Sequence, residues 1–65
     1  MQYTIVMMNA RTLEFEGEIA SSIRERVETA LREPEEYPVA SFYDENGRLF
    51  TLVTKNISHT ILEED

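Results

Sequence analysis

The sequence of 65 residues contains no cysteine and no tryptophan, and only two glycines and two prolines. The absence of cysteine excludes disulfide bonds, thiolate metal ligands and cysteine nucleophiles, and it is typical of proteins in a reducing cytosol. With two isolated glycines, the chain has no glycine-rich loop that could cradle a phosphate group. A hydrophobic content of 42% also excludes a disordered chain.

Basic side chains are scarce, because six Lys and Arg stand against thirteen Asp and Glu, and the formal net charge is −7 at pH 7. Nucleic acids and anionic membranes attract proteins through lysine and arginine, so both are unfavourable partners for this chain. No apolar run approaches the ~20 residues that cross a bilayer, and residues 1–8 lack the basic start and cleavage site of a signal peptide. The sequence therefore predicts a cytoplasmic protein with no membrane partner.

The short length predicts a single domain over residues 1–62, followed by an acidic tail at residues 63–65. A chain of this size buries only about 60% of the surface that its unfolded form exposes, so a monomer is marginally stable. We therefore expect a compact fold that gains stability from self-association.

Alternating side chains predict two strands near the start of the chain, at residues 3–8 and 12–16. A short turn joins them, and within it Asn9 is the residue best suited to a positive φ. In the second strand the apolar residues face one way and the glutamates face the other. The first strand is apolar on both faces, which predicts a central position in the sheet or a covered second face.

An apolar stripe predicts one helix that ends at Glu33, because Pro34 disfavours helical backbone at the residue before it. The members of the stripe follow one another at spacings of four, four, three and one: Ile19, Ile23, Val27, Ala30 and Leu31. Two starts are compatible with this pattern. One is a capping box of Ser22 with Glu25, and the other is a start at Glu18.

Three further strands are predicted after the helix, at residues 39–43, 48–54 and 57–62. Asn46-Gly47 predicts a tight hairpin turn with a positive φ at both central positions, and Lys55-Asn56 predicts the next turn. The resulting order is β-β-α-β-β-β with short antiparallel connections. We therefore predict an α+β fold in which one helix packs on a single five-stranded, strongly twisted antiparallel sheet that can curl into a barrel-like shape.

The predicted strands carry more apolar surface than one short helix can cover. Facing the helix we expect Ile5, Met7, Leu13, Phe15, Phe42, Leu52 and Ile61. The opposite face, which is the predicted interface, consists of Val6, Met8, Leu49, Val53 and Ile57. Each buried aliphatic side chain contributes ~1.5–3 kcal/mol, so leaving this set in water would cost several kcal/mol. Either the sheet curls and shares these side chains inside, or the face pairs with a second copy.

No residue pattern in the sequence indicates a catalytic, metal or cofactor site. His59 is the single histidine, and we interpret it as a partly buried, hydrogen-bonded ring rather than a metal ligand or a pH switch. Glu14 and Glu16 share one strand face, which favours a solvated surface over a catalytic pair. No serine lies in a Gly-x-Ser-x-Gly elbow. The sequence therefore predicts a protein that is not an enzyme.

The leading functional prediction is a small acidic accessory protein that acts by protein–protein contact, as a homodimer and with an unknown protein partner. A second candidate is a small-barrel nucleic-acid binder that combines aromatic residues with a basic patch of Arg11, Arg48 and Lys55. A third candidate is an acidic mimic of the phosphate backbone that inhibits a nucleic-acid-binding partner, because eight carboxylates lie between Glu14 and Glu36.

Three segments also give the chain a resemblance to known small proteins. They are Tyr3-Thr4-Ile5-Val6 with Arg11-Thr12-Leu13-Glu14-Phe15-Glu16, then Asp44-Glu45-Asn46-Gly47-Arg48-Leu49-Phe50, and finally Asn56-Ile57-Ser58-His59. In these segments the chain resembles small proteins of bacteriophages, prophages and Gram-positive bacteria. The resemblance implies a bacterial or phage origin, and it implies no activity, cofactor or binding residue.

Overall fold

This computed structural model describes residues 1–64. They contain five strands, one helix and a short 3₁₀ turn. In chain order they are β1 (Gln2–Met7), β2 (Thr12–Glu16), α1 (Glu18–Arg32), β3 (Val39–Tyr43), β4 (Leu49–Val53), the 3₁₀ turn (Thr54–Asn56) and β5 (Ile57–Glu63). The predicted α+β class and the predicted order of elements are both confirmed.

The strands form two antiparallel sheets, so the prediction of a single five-stranded sheet is wrong. β1 lies in the centre of a three-stranded sheet between β2 and β5, as its apolar faces predicted. β3 and β4 form a separate hairpin. Among the strands, α1 makes its most extensive contacts with β3. The helix therefore lies against β3, and within residues 1–64 β3 pairs with no strand other than β4.

The helix starts at Glu18, which confirms one of the two predicted starts and leaves the capping box of Ser22 and Glu25 unformed. Gly17 precedes it with φ 79° and ψ −155°, a backbone conformation that other residues adopt only with strain. The apolar stripe is confirmed, because the side chains that face the core are Ala20, Ile23, Val27 and Ala30, with Ile19 and Leu31 half-buried. The last helical residue is Arg32, two positions before Pro34.

The core lies between the helix and the inner faces of the two sheets. Its buried members are Tyr3, Ile5, Phe15, Ala20, Ile23, Val27, Phe42 and Ile57. Three phenylalanine rings connect the sheets. Phe15 meets Phe42 and Phe50 edge-on at centroid distances of 5.4 and 5.6 Å, and Phe42 stacks on Phe50 at 5.4 Å. Aromatic pairs contribute ~0.5–1.5 kcal/mol beyond the area that they bury, so this cluster holds the hairpin against β2.

Two isoleucines of β5 lie on the opposite sides from those predicted. Ile57 is buried in the core, whereas Ile61 is 44% exposed on the outer face of the three-stranded sheet. A β-bulge lies between them, because the pairing of β1 with β5 shifts between Val6 and Met7 and leaves Ser58 as an extra residue. The bulge interrupts the side-chain alternation, which would otherwise put Ile57 and Ile61 on one face. The prediction also separated the two residues, but it exchanged their sides.

The first turn uses a different residue for the positive φ from the one predicted. Ala10 has φ 71°, and Asn9 does not adopt a positive φ. Instead, the Asn9 side-chain Oδ1 accepts a hydrogen bond of 3.0 Å from the backbone N–H of Arg11. Asparagine thus stabilises this turn through its side chain, which bonds to the backbone two residues further on.

The second turn is closed by the pairing of Asp44 with Arg48, which leaves a loop of three residues, 45–47. One of these, Gly47, has a positive φ, rather than the two that were predicted. The turn is organised by the buried carboxylate of Asp44. One oxygen accepts hydrogen bonds from the backbone N–H groups of Asn46 and Arg48 at 2.9 and 2.8 Å. The other oxygen accepts from Arg48 Nε at 2.8 Å. Burial raises the pKa of Asp44, but the hydrogen bonds outweigh it, and the pKa lies below its usual value.

The end of the chain is more regular than the predicted acidic tail at 63–65. Glu63 is the last residue of β5 and pairs with Gln2 of β1. Glu64 follows the strand, and Asp65 lies outside the described residues.

The Asp44 turn generates a prediction for stability against pH. The pKa is lower in the folded state, so the stabilisation is present above the usual value of 3.8 and is lost as the pH falls through the folded pKa. We expect Asp44→Asn to lower the thermal unfolding midpoint at pH 7, and the difference from wild type to shrink towards about pH 2. Thermal unfolding followed by circular dichroism at each pH measures the midpoint of the variant and its difference from wild type. Glu45→Gln, on the exposed neighbour, is the control, and an Asp44→Asn deficit that is independent of pH would contradict the assignment.

Candidate protein-interaction surface

The outer face of the β3–β4 hairpin carries most of the large apolar side chains that the fold leaves in solvent. Within residues 1–64 seven such side chains are exposed, and four of them lie on this face. Their exposed fractions run from 44% to 61%, and they are Val39, Tyr43, Leu49 and Val53. An apolar cluster of this kind, on a chain with a net charge of −7, makes this face the candidate surface for contact with another molecule.

Strand pairing arranges the four side chains in two cross-strand pairs. Val39 faces Val53 at one end of the hairpin, and Tyr43 faces Leu49 at the other. The pair between them consists of a serine and a threonine, and none of the six positions carries a charge. We call these six residues the hairpin face: Val39, Ser41, Tyr43, Leu49, Thr51 and Val53.

The inner side of the hairpin is covered unequally. On β3 the inward side chains Ala40 and Phe42 are buried, at 3% and 4% exposure. On β4 the inward side chains Phe50 and Leu52 are only half-buried. The difference follows from the position of the helix, which lies against β3. β4 therefore leaves apolar surface in water on both of its sides.

Both strands of the hairpin also have an edge that pairs with no other strand among the described residues. The ladder between them is set by the N–H of Asp44, which donates to Arg48 O at 3.0 Å, and the N–H of Thr54, which donates to Pro38 O at 2.9 Å. Hydrogen-bonded pairs alternate along an antiparallel ladder. The backbone N–H and C=O groups directed away from the hairpin therefore belong to the same six residues that form the hairpin face.

The free edges of the hairpin lack the protection that the free edges of the three-stranded sheet have. β2 carries Glu14 and Glu16, and β5 ends at Glu63. Charged side chains of this kind discourage the pairing of an edge with another chain. β3 and β4 contain no charged residue and no proline, so their edges are templates on which a further strand can form.

The structure separates the five predicted interface residues. Leu49 and Val53 lie together on the hairpin face. Met8 is 68% exposed in the turn after β1. Its backbone N–H donates a hydrogen bond of 2.7 Å to the backbone carbonyl oxygen of the last residue of the 3₁₀ turn. Val6 is half-buried in the three-stranded sheet, and Ile57 is in the core. Two of the five therefore belong to the candidate surface.

Sequence reasoning did not single out the other two apolar members of the surface, Val39 and Tyr43. The signal was nevertheless present, because alternation along β3 places both on the opposite side from Phe42, which was assigned to the core. Aromatic residues at exposed strand positions are common in protein interfaces. Tyr43 on an uncharged strand is the residue that could have indicated this face.

The three basic residues of the predicted nucleic-acid patch lie at three different turns. Arg11 follows the first turn, Arg48 precedes β4 and Lys55 follows it. β4 has five residues, which span ~17 Å, so the structure does not bring Arg48 and Lys55 together. The Arg48 guanidinium is also paired with the Asp44 carboxylate at 2.8 Å and lies 5.8 Å from the centre of the Phe50 ring.

The remaining polar candidates are exposed. His59 lies on the surface with Nδ1 3.0 Å from Ser58 Oγ, so the expectation of a partly buried ring is wrong. Glu14 and Glu16 are exposed, as expected for a solvated strand face. Across residues 1–64 there is no cluster of three His, Asp or Glu side chains that could hold a metal ion. In the same part of the chain, no helix is long and apolar enough to cross a membrane.

One buried polar network ties the helix to the three-stranded sheet. The Tyr3 hydroxyl donates to Glu28 Oε2 at 2.5 Å, and the Thr60 hydroxyl donates to the same oxygen at 3.0 Å. Burial raises the pKa of Tyr3, and the hydrogen bond to Glu28 raises it further, so the pKa lies well above its usual value. No buried side-chain polar atom within residues 1–64 lacks a hydrogen-bond partner. The network is satisfied and structural.

Comparison with known proteins leaves the geometry as the basis for assigning a function. No model of a known protein family matches the sequence, and no curated protein matches it significantly.

The Tyr3 network generates a second prediction. We expect Tyr3→Phe to lower the free energy of unfolding by about 1.5–3 kcal/mol at neutral pH, because a hydrogen bond to a charged group is lost. The folded pKa is raised, so the stabilisation is present below the usual value of 10.0 and is lost as the pH rises towards the folded pKa. Urea unfolding at pH 7 and above pH 10 measures the difference in the free energy of unfolding between wild type and Tyr3→Phe. Tyr43→Phe, at an exposed tyrosine, should change neither value, and an equal loss there would contradict the assignment.

Proposed function

We propose that this protein is a non-enzymatic binding protein that acts by protein–protein contact through the β3–β4 hairpin, and that it forms a homodimer in which two copies of β4 pair edge to edge. The observation that carries this proposal is the hairpin face. It presents four exposed apolar side chains and no charge, and it lies on a strand whose edge is free and unprotected.

The sequence of β4 suits antiparallel pairing with a copy of itself. A two-fold axis at Thr51 sets Leu49 opposite the partner's Val53 and sets Thr51 opposite the partner's Thr51. These residues direct their backbone N–H and C=O groups away from β3. Each of the facing pairs therefore exchanges two hydrogen bonds, as directly opposed residues do in an antiparallel ladder. Apolar side chains meet apolar side chains along the outer face of the resulting four-stranded sheet.

Pairing at β4 also completes the burial of its inner side. In the same register Phe50 lies opposite the partner's Leu52, and both side chains are half-buried in the single chain. Moving a half-buried large apolar side chain fully out of water contributes about 1 kcal/mol. The edge of β3 offers no such gain, because Ala40 and Phe42 are already buried.

Electrostatic repulsion restricts where two copies can meet. Each chain carries a net charge of −7, so surfaces rich in glutamate repel one another. β4 carries no charge, and the residue that precedes it is Arg48. Contact at β4 therefore meets the least electrostatic repulsion, and added salt should strengthen the dimer by screening the repulsion that remains.

The contact is small, which sets the expected affinity. Five residues of β4 span ~17 Å, and the interface is below the ~800 Å² per partner of a standard stable complex. Interfaces of this size bind weakly. We therefore expect a dissociation constant in the micromolar range, about −8 kcal/mol.

Sedimentation equilibrium with a matched pair of variants tests the proposal. Leu49→Glu places a carboxylate on the hairpin face, and Ile61→Glu makes the same change at an exposed strand residue of the three-stranded sheet. At micromolar concentrations we expect wild type and Ile61→Glu to approach twice the mass of 7.6 kDa. We expect Leu49→Glu to stay near 7.6 kDa, because its carboxylate must be buried beside the partner's apolar side chains.

Thr51→Pro supplies a separate check on edge pairing. Its N–H points away from β3, so proline removes a hydrogen bond of the dimer without removing one of the hairpin ladder. We expect the dimer to weaken by about tenfold or more. A wild-type protein that sediments at 7.6 kDa at high salt, or a Leu49→Glu variant that dimerises like wild type, would overturn the proposal.

A further inference from the structure

A groove of about 440 Å³ runs between α1 and the free edge of β3. Ser22, Arg26 and Ala30 line its helix side, and Val39 and Ser41 line its strand side. A site of this volume lies within the range of pockets that hold ligands. The groove is separate from the edge of β4, which is on the other side of the hairpin.

The strand side of the groove presents backbone groups that have no partner strand. Val39 and Ser41 direct their N–H and C=O groups away from β4, towards the helix side of the edge. Within residues 1–64, β3 pairs with no strand other than β4. Donors and acceptors spaced along an extended edge are complementary to another extended chain, since an added strand repeats the same spacing.

The side chains around the groove match the two faces of such a strand. Towards the core Ala30 and Ala40 are already buried, and the rest of the helix side of the groove is polar, with Ser22 and Arg26 among its lining. Towards solvent, an added strand would lie beside Val39 and Tyr43 and continue the apolar hairpin face. An extended peptide in which apolar and polar side chains alternate would therefore place its apolar side chains on the hairpin face and its polar side chains beside the helix.

The charges and the helix select among occupants. Glu25 and Arg26 both line the groove, so its charge is balanced, unlike the net −7 of the chain. The helix lies against β3, and residues of both line the groove. An added strand lies ~4.8 Å from the strand that it pairs with. A single extended segment brings only that strand into the groove, whereas a second folded copy would also bring its own hairpin and helix.

We propose that the groove between α1 and β3 binds an extended peptide segment of another protein, which adds to β3 as a further strand and presents apolar side chains at alternate positions. The dimer leaves this edge free, so each subunit of a dimer would carry one such groove.

The test uses the full chain and a phage-displayed library of random heptapeptides. We expect wild type to enrich peptides with apolar residues at alternate positions. The strongest synthetic peptide is then titrated by fluorescence anisotropy against wild type, Ser41→Pro and Thr51→Pro. Ser41→Pro removes an N–H that faces the groove, whereas Thr51→Pro removes the matching N–H on the other edge. We expect about a tenfold loss of affinity for Ser41→Pro and no loss for Thr51→Pro.

Two further measurements keep the test decisive. Ser22→Trp fills the groove from the helix without altering either strand. It should lower the affinity for the peptide in the same way, and it therefore replaces Ser41→Pro if that variant fails to fold. Amide exchange by NMR should slow at Val39, Ser41 and Tyr43 when the peptide binds. No enriched peptide, a peptide unaffected by either groove variant, or protection confined to β4 would each overturn the proposal. Loss of dimerisation in Thr51→Pro with unchanged peptide binding would separate this groove from the dimer contact.

Discussion

The packing of one helix against β3 is the constraint from which the rest of this structure follows. α1 has a single apolar stripe, and it must cover the inner faces of two sheets. It covers β3 fully and leaves Phe50 and Leu52 of β4 half-buried. No third strand joins the hairpin among the described residues. Among the described residues no further element covers the outer side of the hairpin, so its apolar side chains are exposed on the hairpin face.

Two unprotected edges on one hairpin would ordinarily favour open-ended association, in which β4 of one copy adds to β3 of the next. The helix makes the two edges unequal. β3 lies against α1 and its free edge lines the groove, whereas β4 makes fewer contacts with the helix than β3 does. In the proposed dimer, symmetric pairing of β4 with β4 uses the open edge of both copies and would close the assembly. The position of the helix against β3 would therefore oppose the growth of a filament.

Local periodicity was sufficient to predict the helix stripe and the bounds of β3, because both depend on the spacing of neighbouring residues. The division into two sheets was not predictable in this way, since it depends on which strands lie side by side in space. The bulge at Ser58 shows the same limit, because it is a property of the pairing of β5 with β1 and leaves no local signal in the sequence. On the candidate surface, Leu49 and Val53 were predicted by alternation in β4. Alternation in β3 also places Val39 and Tyr43 opposite Phe42, but their position directly across from Leu49 and Val53 depends on the register of the hairpin.

In the proposed dimer, the distribution of charge would give the apolar hairpin face its specificity. Thirteen carboxylates and six basic groups leave most of the surface negative, which keeps separate copies apart at low ionic strength. The six residues of the hairpin face are uncharged, so the repulsion is weakest where the apolar area is greatest. Attraction alone would permit many contacts between exposed hydrophobic residues such as Met8 and Ile61. In the proposed dimer, repulsion over the remaining surface would disfavour these contacts, and strand pairing at the hairpin would satisfy both the backbone groups and the charges.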